Sequence, residues 1–278
     1  MQDFRDWIGR TETVSDELSA SHVAGVAALF DDAETGTETG APLPLLWQWF
    51  FFVPRALQQS LDVDGHPQRG GFMPPIPYPR RMFAGARVRM HQPLHIGRLA
   101  ERQGVIRDVV LKSGRSGALA FVTVGYRFVQ DGVLCLEEEQ DIVYRETVTP
   151  VPTPGAVQPA PVTSGAWSRT VAPDSRLLFR FSALTFNAHR IHYDREYAMS
   201  VEMYPGLVVH GPLTALLLLS LARERAPQPP TQFSFRGLAP LFDRAPFRLV
   251  AEPVGQVIQL RAEAPDGSTA LEATAGWE

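Results

Sequence analysis

The sequence predicts an α+β protein made of two like halves, each an antiparallel sheet wrapped around one buried helix. Two observations carry this. A segment rich in Pro, Gly, Ser and Thr, "TPVPTPGAVQPAPVTSG" (149–165), divides the chain. Proline removes amide donors and fixes φ, so this linker joins neither a helix nor a central strand. On either side of it, about 1–148 and 166–278, one order of elements recurs: apolar helical patterns, then alternating strands broken by turn residues.

In the first half "LSASHVAGVAALFDD" has helical spacing and "PLPLLWQWFFFVPRALQQSL" is a second apolar helix candidate, its "WQWFFF" run destined for the core. "GARVRMHQPLHIG", "AERQGVIRDVVLKSGRSG", "ALAFVTVGYRFVQDG" and "VLCLEEEQDIVYRE" then read as strands. In the second half "RLLFRFSALT" alternates like a strand, and a polar run follows it. "GPLTALLLLSLARER", apolar on nearly every side and stopped by "APQPP", reads as a buried helix. "TQFSFRGLAPLF", "APFRLVAEPVGQVIQLRAEAPDG" and "STALEATAGWE" are strands joined by turns, with "PDG" a hairpin signal. "LKSGRSGALAFVTV" and "AEAPDGSTALEATA" match as hairpins whose second arm alternates. A sheet around a single apolar helix is the hot-dog arrangement, so the expectation is a double hot-dog.

The 278 residues are 45% hydrophobic and 20% charged, a globular composition. A net charge of −4 and a pI near 6.0 argue against nucleic acid as a partner recognised by bulk charge. The single Cys135 excludes an intramolecular disulfide framework and fits a reducing compartment. "MQDFRDWIGR" has acids and no apolar h-region, and "GPLTALLLLSLA" is far short of the ~20 residues of a membrane span. A cytoplasmic protein with no membrane partner is expected.

"TFNAHRIHYD" (185–194) concentrates two histidines, an asparagine, an arginine and an aspartate between two apolar segments. Polar groups held between core elements need partners or a function. His189 and His192 have the i, i+3 spacing of a metal pair, but no third ligand with suitable spacing accompanies them, so no metal is expected. A solvated turn is one reading; an acid–base site is the sharper one, because histidine titrates near neutrality.

That run, continued by "YPGLVVHGPLTALLL", resembles the signature of MaoC-like, (R)-specific enoyl-CoA hydratases and dehydratases: Asp-x-Asn-Pro-Ile-His, then His-Gly opening the central helix. Aligned on Ile-His, the family's catalytic histidine falls on His192, its aspartate on Asn187, its asparagine on His189 and its proline on Arg190. "FNAHRIHYD" is similar to the branch of type-2 hydroxyacyl-thioester dehydratases and of mesaconyl-C4-CoA and itaconyl-CoA hydratases. "DGHPQRGGFMPPIPYPRRMFAGARVRMHQPL" and "KSGRSGALAFVTV" resemble the same branch. In such double hot-dog enzymes the first repeat lacks the catalytic pair, and "SASHVAGVAALFDDA" carries no His-centred motif.

The resemblance implies a hydro-lyase acting on an acyl-CoA thioester, with no separate cofactor and a homodimer of double hot-dog subunits. His192 would serve as base and then acid; Asn187, which cannot ionise, would position water. Gly211, at the start of the apolar helix, would offer its backbone N–H to the thioester oxygen. Arg80 and Arg81, after the stiff "PPIPYP", suit a substrate carboxylate or coenzyme A phosphates. His189 and Arg190 are expected at the substrate, Asp194 as a cap, and His210 as a packing residue. "KSGRSG" resembles a phosphate-contacting turn. Three alternatives stay open: a 3-hydroxyacyl-thioester dehydratase of fatty-acid synthesis, a hot-dog thioesterase, and a non-catalytic acyl-CoA binding module.

Overall fold

The computed structural model describes residues 4–114, 117–146, 150–151, 155 and 164–277. Most of the proposed 149–165 linker, and Arg115 of "KSGRSG", lie outside the described residues. The chain forms two compact units: Met1–Phe83, Val88–Val148 and Ala183–Ala188 make one, and Ala84–Arg87, Thr149–Ser182 and His189–Glu278 the other.

The first unit contains β1 (Thr11–Glu17), α1 (Ala20–Leu29), β2 (Arg80–Met90, its Ala84–Arg87 in the second unit), β3 (Leu99–Gly114), β4 (Gly117–Gln130) and β5 (Val133–Arg145), with strand order β1-β3-β4-β5-β2. The hairpins follow from turn chemistry. Between β4 and β5, Gln130 pairs with Val133, and the intervening Asp131 (φ 52°) and Gly132 (φ 76°) take the left-handed pair that a two-residue hairpin requires. Alternation along β4 sends Ala120, Val122 and Val124 inward with Ile106, Val109, Ile142 and Tyr144. Ser19 caps α1 by accepting from the His22 amide, and Val23, Val26 and Ala27 form its buried stripe.

The second helix expected here is absent. "PLPLLWQWFFFVPRALQQSL" forms only two single 3-10 turns, Trp47–Phe50 and Gln58–Ser60. Leu46 (φ 70°) and Phe52 (φ 55°) bracket the first of them in left-handed backbone, and Pro42, Pro44 and Pro54 deny the surrounding chain helical amides. Trp47, Phe50, Phe51 and Phe52 are nonetheless buried, as their composition demands. Beneath them Glu138 is fully enclosed. It accepts from Trp49 Nε1 at 2.8 Å, Gln48 Nε2 at 3.3 Å and Gln140 Nε2 at 2.6 Å, and burial pushes its pKa up.

The second unit contains β6 (Trp167–Val171), α2 (Ser175–Leu184, its last two residues in the first unit), α3 (Arg195–Ser200), α4 (Gly211–Arg225), β7 (Gln232–Gly237), β8 (Phe247–Val254), β9 (Val257–Glu263) and β10 (Thr269–Gly276). Its order is β7-β10-β9-β8-β6. Reading β1 as β6, β2 as β7 and so on to β5 as β10, the order within the two units is the same. β1 and β6 themselves were not expected from the sequence: "TETVSDE" and "WSRTV" are short and polar, with no face fully buried. The 15-residue α4 packs on β8, β9 and β10, and its Leu213, Leu216, Leu218 and Leu219 are buried. Alanines 251, 262, 273 and 275 are buried on those strands.

"RLLFRFSALT" is a helix, not the expected strand. Asp174 decides it by accepting from the Leu177 amide at 2.9 Å, an N-cap three residues ahead. The buried positions are then Leu178, Phe181 and Ser182, at i, i+3 and i+4, while Phe179 is 63% exposed. A six-residue apolar alternation fits period 2 or period 3.6; the cap breaks the tie.

Candidate active site

His192 is held by backbone on two sides. "RIH" (190–192) is a single 3-10 turn closed by the His192 amide on the His189 carbonyl at 3.2 Å. The Val208 amide donates to the Ile191 carbonyl at 3.0 Å, and His192 Nδ1 donates to the Val208 carbonyl at 2.7 Å. The segment carrying Val208 is fixed in turn: Val209 donates to the Leu241 carbonyl, and the Leu207 amide to Asp243. A carbonyl only accepts, so Nδ1 bears a ring proton, and in the neutral imidazole Nε2 bears the lone pair. His192 is 8% exposed.

Other rings pack against it. His189 meets His192 edge-on at 5.4 Å between centroids, and His210 stacks on it at 3.6 Å with planes 19° apart. His210 Nε2 lies 2.9 Å from Ser182 Oγ. Full burial, and then the charge His192 can carry, hold the His210 pKa well below its ordinary value. His210 is also the N-cap residue of α4, accepting from the Thr214 amide and hydroxyl.

Gly211 opens α4 with Pro212 behind it, among amides that have no partner inside the helix. Arg190 is bound to Asp194 through Nε at 3.0 Å and Nη2 at 2.8 Å and lies over the Tyr197 ring at 4.0 Å. Its charge is answered by Asp194, whose hydrogen bond raises the arginine pKa further. Asp194 caps α3 through the Tyr197 amide at 3.0 Å, as its position suggested. The expected site residues therefore divide between units: His189, Arg190, His192 and Gly211 belong to the second, Arg80, Arg81 and Asn187 to the first.

In the first unit Arg80, buried, and Arg81, half-buried, begin β2 after the proline segment. Arg69 holds that segment, donating to the carbonyls of Ile76, of Tyr78 at 2.6 Å and of Pro79 at 3.2 Å. The structure adds a pair the sequence reading passed over. His66 Nδ1 lies 3.0 Å from Asp64 Oδ2, and the His66 amide donates to Oδ1 at 2.9 Å. Burial lowers the His66 pKa against the pull of Asp64, with Arg81 and Arg69 adding to the depression. The signal was present as "DGH", carboxylate and imidazole two apart in a turn.

A family model described as hydroxyacyl-thioester dehydratase type 2 matches residues 46–243. A Chloroflexus aurantiacus protein named mesaconyl-C(4)-CoA hydratase is 61% identical over 272 residues, covering 98% of this chain and 97% of its own. A solved structure titled MaoC-like dehydratase superposes with a TM-score of 0.72 at 15% identity over 98% of each chain. A Mycobacterium tuberculosis conserved hypothetical protein, titled as having a double hot-dog fold, superposes at 0.60 and 14% identity over 96% of this chain and 95% of its own. The fold is thus the expected α+β double hot-dog, and the chain belongs to the hydroxyacyl-thioester dehydratase type 2 family.

Proposed function

We propose that this hydro-lyase adds water across the double bond of a carboxylated enoyl-CoA, converting mesaconyl-C4-CoA or itaconyl-CoA to citramalyl-CoA. The observation that carries the chemistry is the His192–Val208 hydrogen bond, which fixes the base-competent tautomer. The 61% identity to the Chloroflexus hydratase supports the substrate.

In this reading Nε2 of His192 takes a proton from water as the oxygen bonds the β-carbon. The alkene electron pair moves through the α-carbon onto the thioester oxygen, where the Gly211 N–H receives it. The imidazolium then returns a proton to the α-carbon. Asn187, an amide where the family pattern has an acid, leaves proton transfer to the histidine and serves to orient water. Arg80 and Arg81 would meet the substrate carboxylate or the coenzyme A phosphates, and His189 would border the acyl group. An enolate held by a backbone donor needs no Lewis acid, so the reaction is proposed to run without metal or separate cofactor. We also propose a cytoplasmic homodimer; among the described residues no helix is long and apolar enough to cross a membrane.

Incubation with mesaconyl-C4-CoA, itaconyl-CoA and crotonyl-CoA, following enoyl absorbance and free thiol, tests the assignment. Loss of absorbance with the carboxylated substrates and no thiol release is expected. Preference for crotonyl-CoA would favour the fatty-acid dehydratase, thiol release a thioesterase, and inertness a binding module.

A further inference from the structure

We propose that His210 is a positioning residue for His192: its buried ring, anchored by Ser182, sets the plane of the His192 imidazole and stays uncharged while His192 gains and loses a proton. This rests on the hydratase reading of His192 and adds to it a second histidine that does not touch substrate.

The geometry lies within one unit. Ser182 on α2 holds His210 Nε2 at 2.9 Å; Phe181, from the same helix, packs on the His210 ring at 4.6 Å and 55°. The same ring stacks on His192 at 3.6 Å. Val208 grips Nδ1 in the plane of the His192 ring, and His210 braces the face of that ring. Taking the stack away removes the brace on that face, and Nε2 swings when the ring tilts.

The tautomer of His210 follows from its surroundings. Its Nδ1 is buried with no hydrogen-bond partner. A proton there would be a buried donor without an acceptor, a rarer and costlier arrangement than a bare lone pair. Nε2–H therefore donates to Ser182 Oγ, and Nδ1 stays deprotonated. Charging His210 would place its second proton on that same unpartnered atom. It would also set two cations face to face whenever His192 is an imidazolium. Among the described residues of its unit, the ionisable rings against His192 include His189, edge-on, and His210; Arg190 on the same turn is engaged by Asp194. A neutral platform is what a cycling acid–base group requires of its closest neighbour.

The test uses the full chain carrying His210→Ala, His210→Phe or Ser182→Ala. Ring 15N NMR across pH reads the tautomer and titration of His192 without reference to any reaction. Without the stack the ring can tilt out of line with the Val208 carbonyl and weaken that hydrogen bond, so His210→Ala should replace the single Nδ1–H tautomer by a mixture. It should also lower kcat by up to about 10²-fold, as a misplaced base does, with KM little changed. His210→Phe, restoring a flat ring, should recover the tautomer and most of the loss, and Ser182→Ala should fall between. If the alanine variant does not fold, Ser182→Ala carries the same comparison against wild type. An unaltered His192 tautomer and kcat in His210→Ala, or in Ser182→Ala where that variant stands in for it, would overturn the proposal. So would a kcat loss that tracks melting temperature and is not recovered by phenylalanine. A wild type inert toward every thioester would sink the hydratase reading, while the NMR would still decide the role of His210.

Discussion

His192 and Val208 clamp one another: the imidazole Nδ1 donates to the Val208 carbonyl at 2.7 Å, and the Val208 amide donates to the carbonyl of Ile191, one residue before His192, at 3.0 Å. In the proposed mechanism a ring so held keeps Nε2 as the nitrogen that takes the proton and then returns it. His192→Ala should fold normally and lose about 10²–10⁴-fold in kcat, the usual worth of general acid–base catalysis. Steady-state kinetics with a melting curve check this; near-wild-type turnover would remove His192 from the mechanism.

In the proposed mechanism Asn187 orients water, an amide at the position where the MaoC-like pattern that the run resembles has an acid. Asn187→Ala should cost on the order of 10²-fold in kcat through lost water orientation, whereas Asn187→Asp should remain active. An inert wild type beside an active aspartate variant would mean that the asparagine marks a decayed site.

Chelation should leave activity intact. Exhaustive dialysis against a chelator followed by assay is sufficient, and activity lost and then restored by one divalent ion would contradict the mechanism.

Glu138 gives a pH signature of stability. Burial raises its folded-state pKa above the ordinary 4.5, so the fold prefers the protonated form. The stabilisation is complete below about pH 4.5 and is lost as pH rises through the folded pKa. Glu138→Gln abolishes the titration. Denaturation midpoints from acid to neutral pH should therefore fall for wild type relative to the variant, and parallel curves would show that the fold does not raise the carboxyl's pKa.

Leu218 is wholly buried on α4. Leu218→Ala should destabilise by about 2–5 kcal/mol, the range for emptying a core leucine site, measured by chemical denaturation. A change under about 1 kcal/mol would be surface-like and would mean that α4 is not the helix on which the second sheet is built.

The sequence by itself determined what depends on neighbours in the chain. The β4–β5 and β9–β10 hairpins, the uniformly apolar α4 stopped by prolines, the Asp194 cap and the Ile-His pair that singles out His192 all depend on spacings of a few residues. Two further local signals lay outside apolar periodicity: the Asp174 cap makes "RLLFRFSALT" a helix, and prolines with the left-handed Leu46 and Phe52 break "PLPLLWQWFFF". Tertiary structure decided what no short stretch specifies. β1 and β6 owe their strands to ladder partners more than 70 residues away, which no local pattern announces. His210 and Ser182, 28 residues apart, meet only because α2 and the start of α4 come together. Local chemistry singles out His192; only packing supplies the ring stacked on it, because burial and stacking are properties of the assembled unit and not of any short stretch of chain.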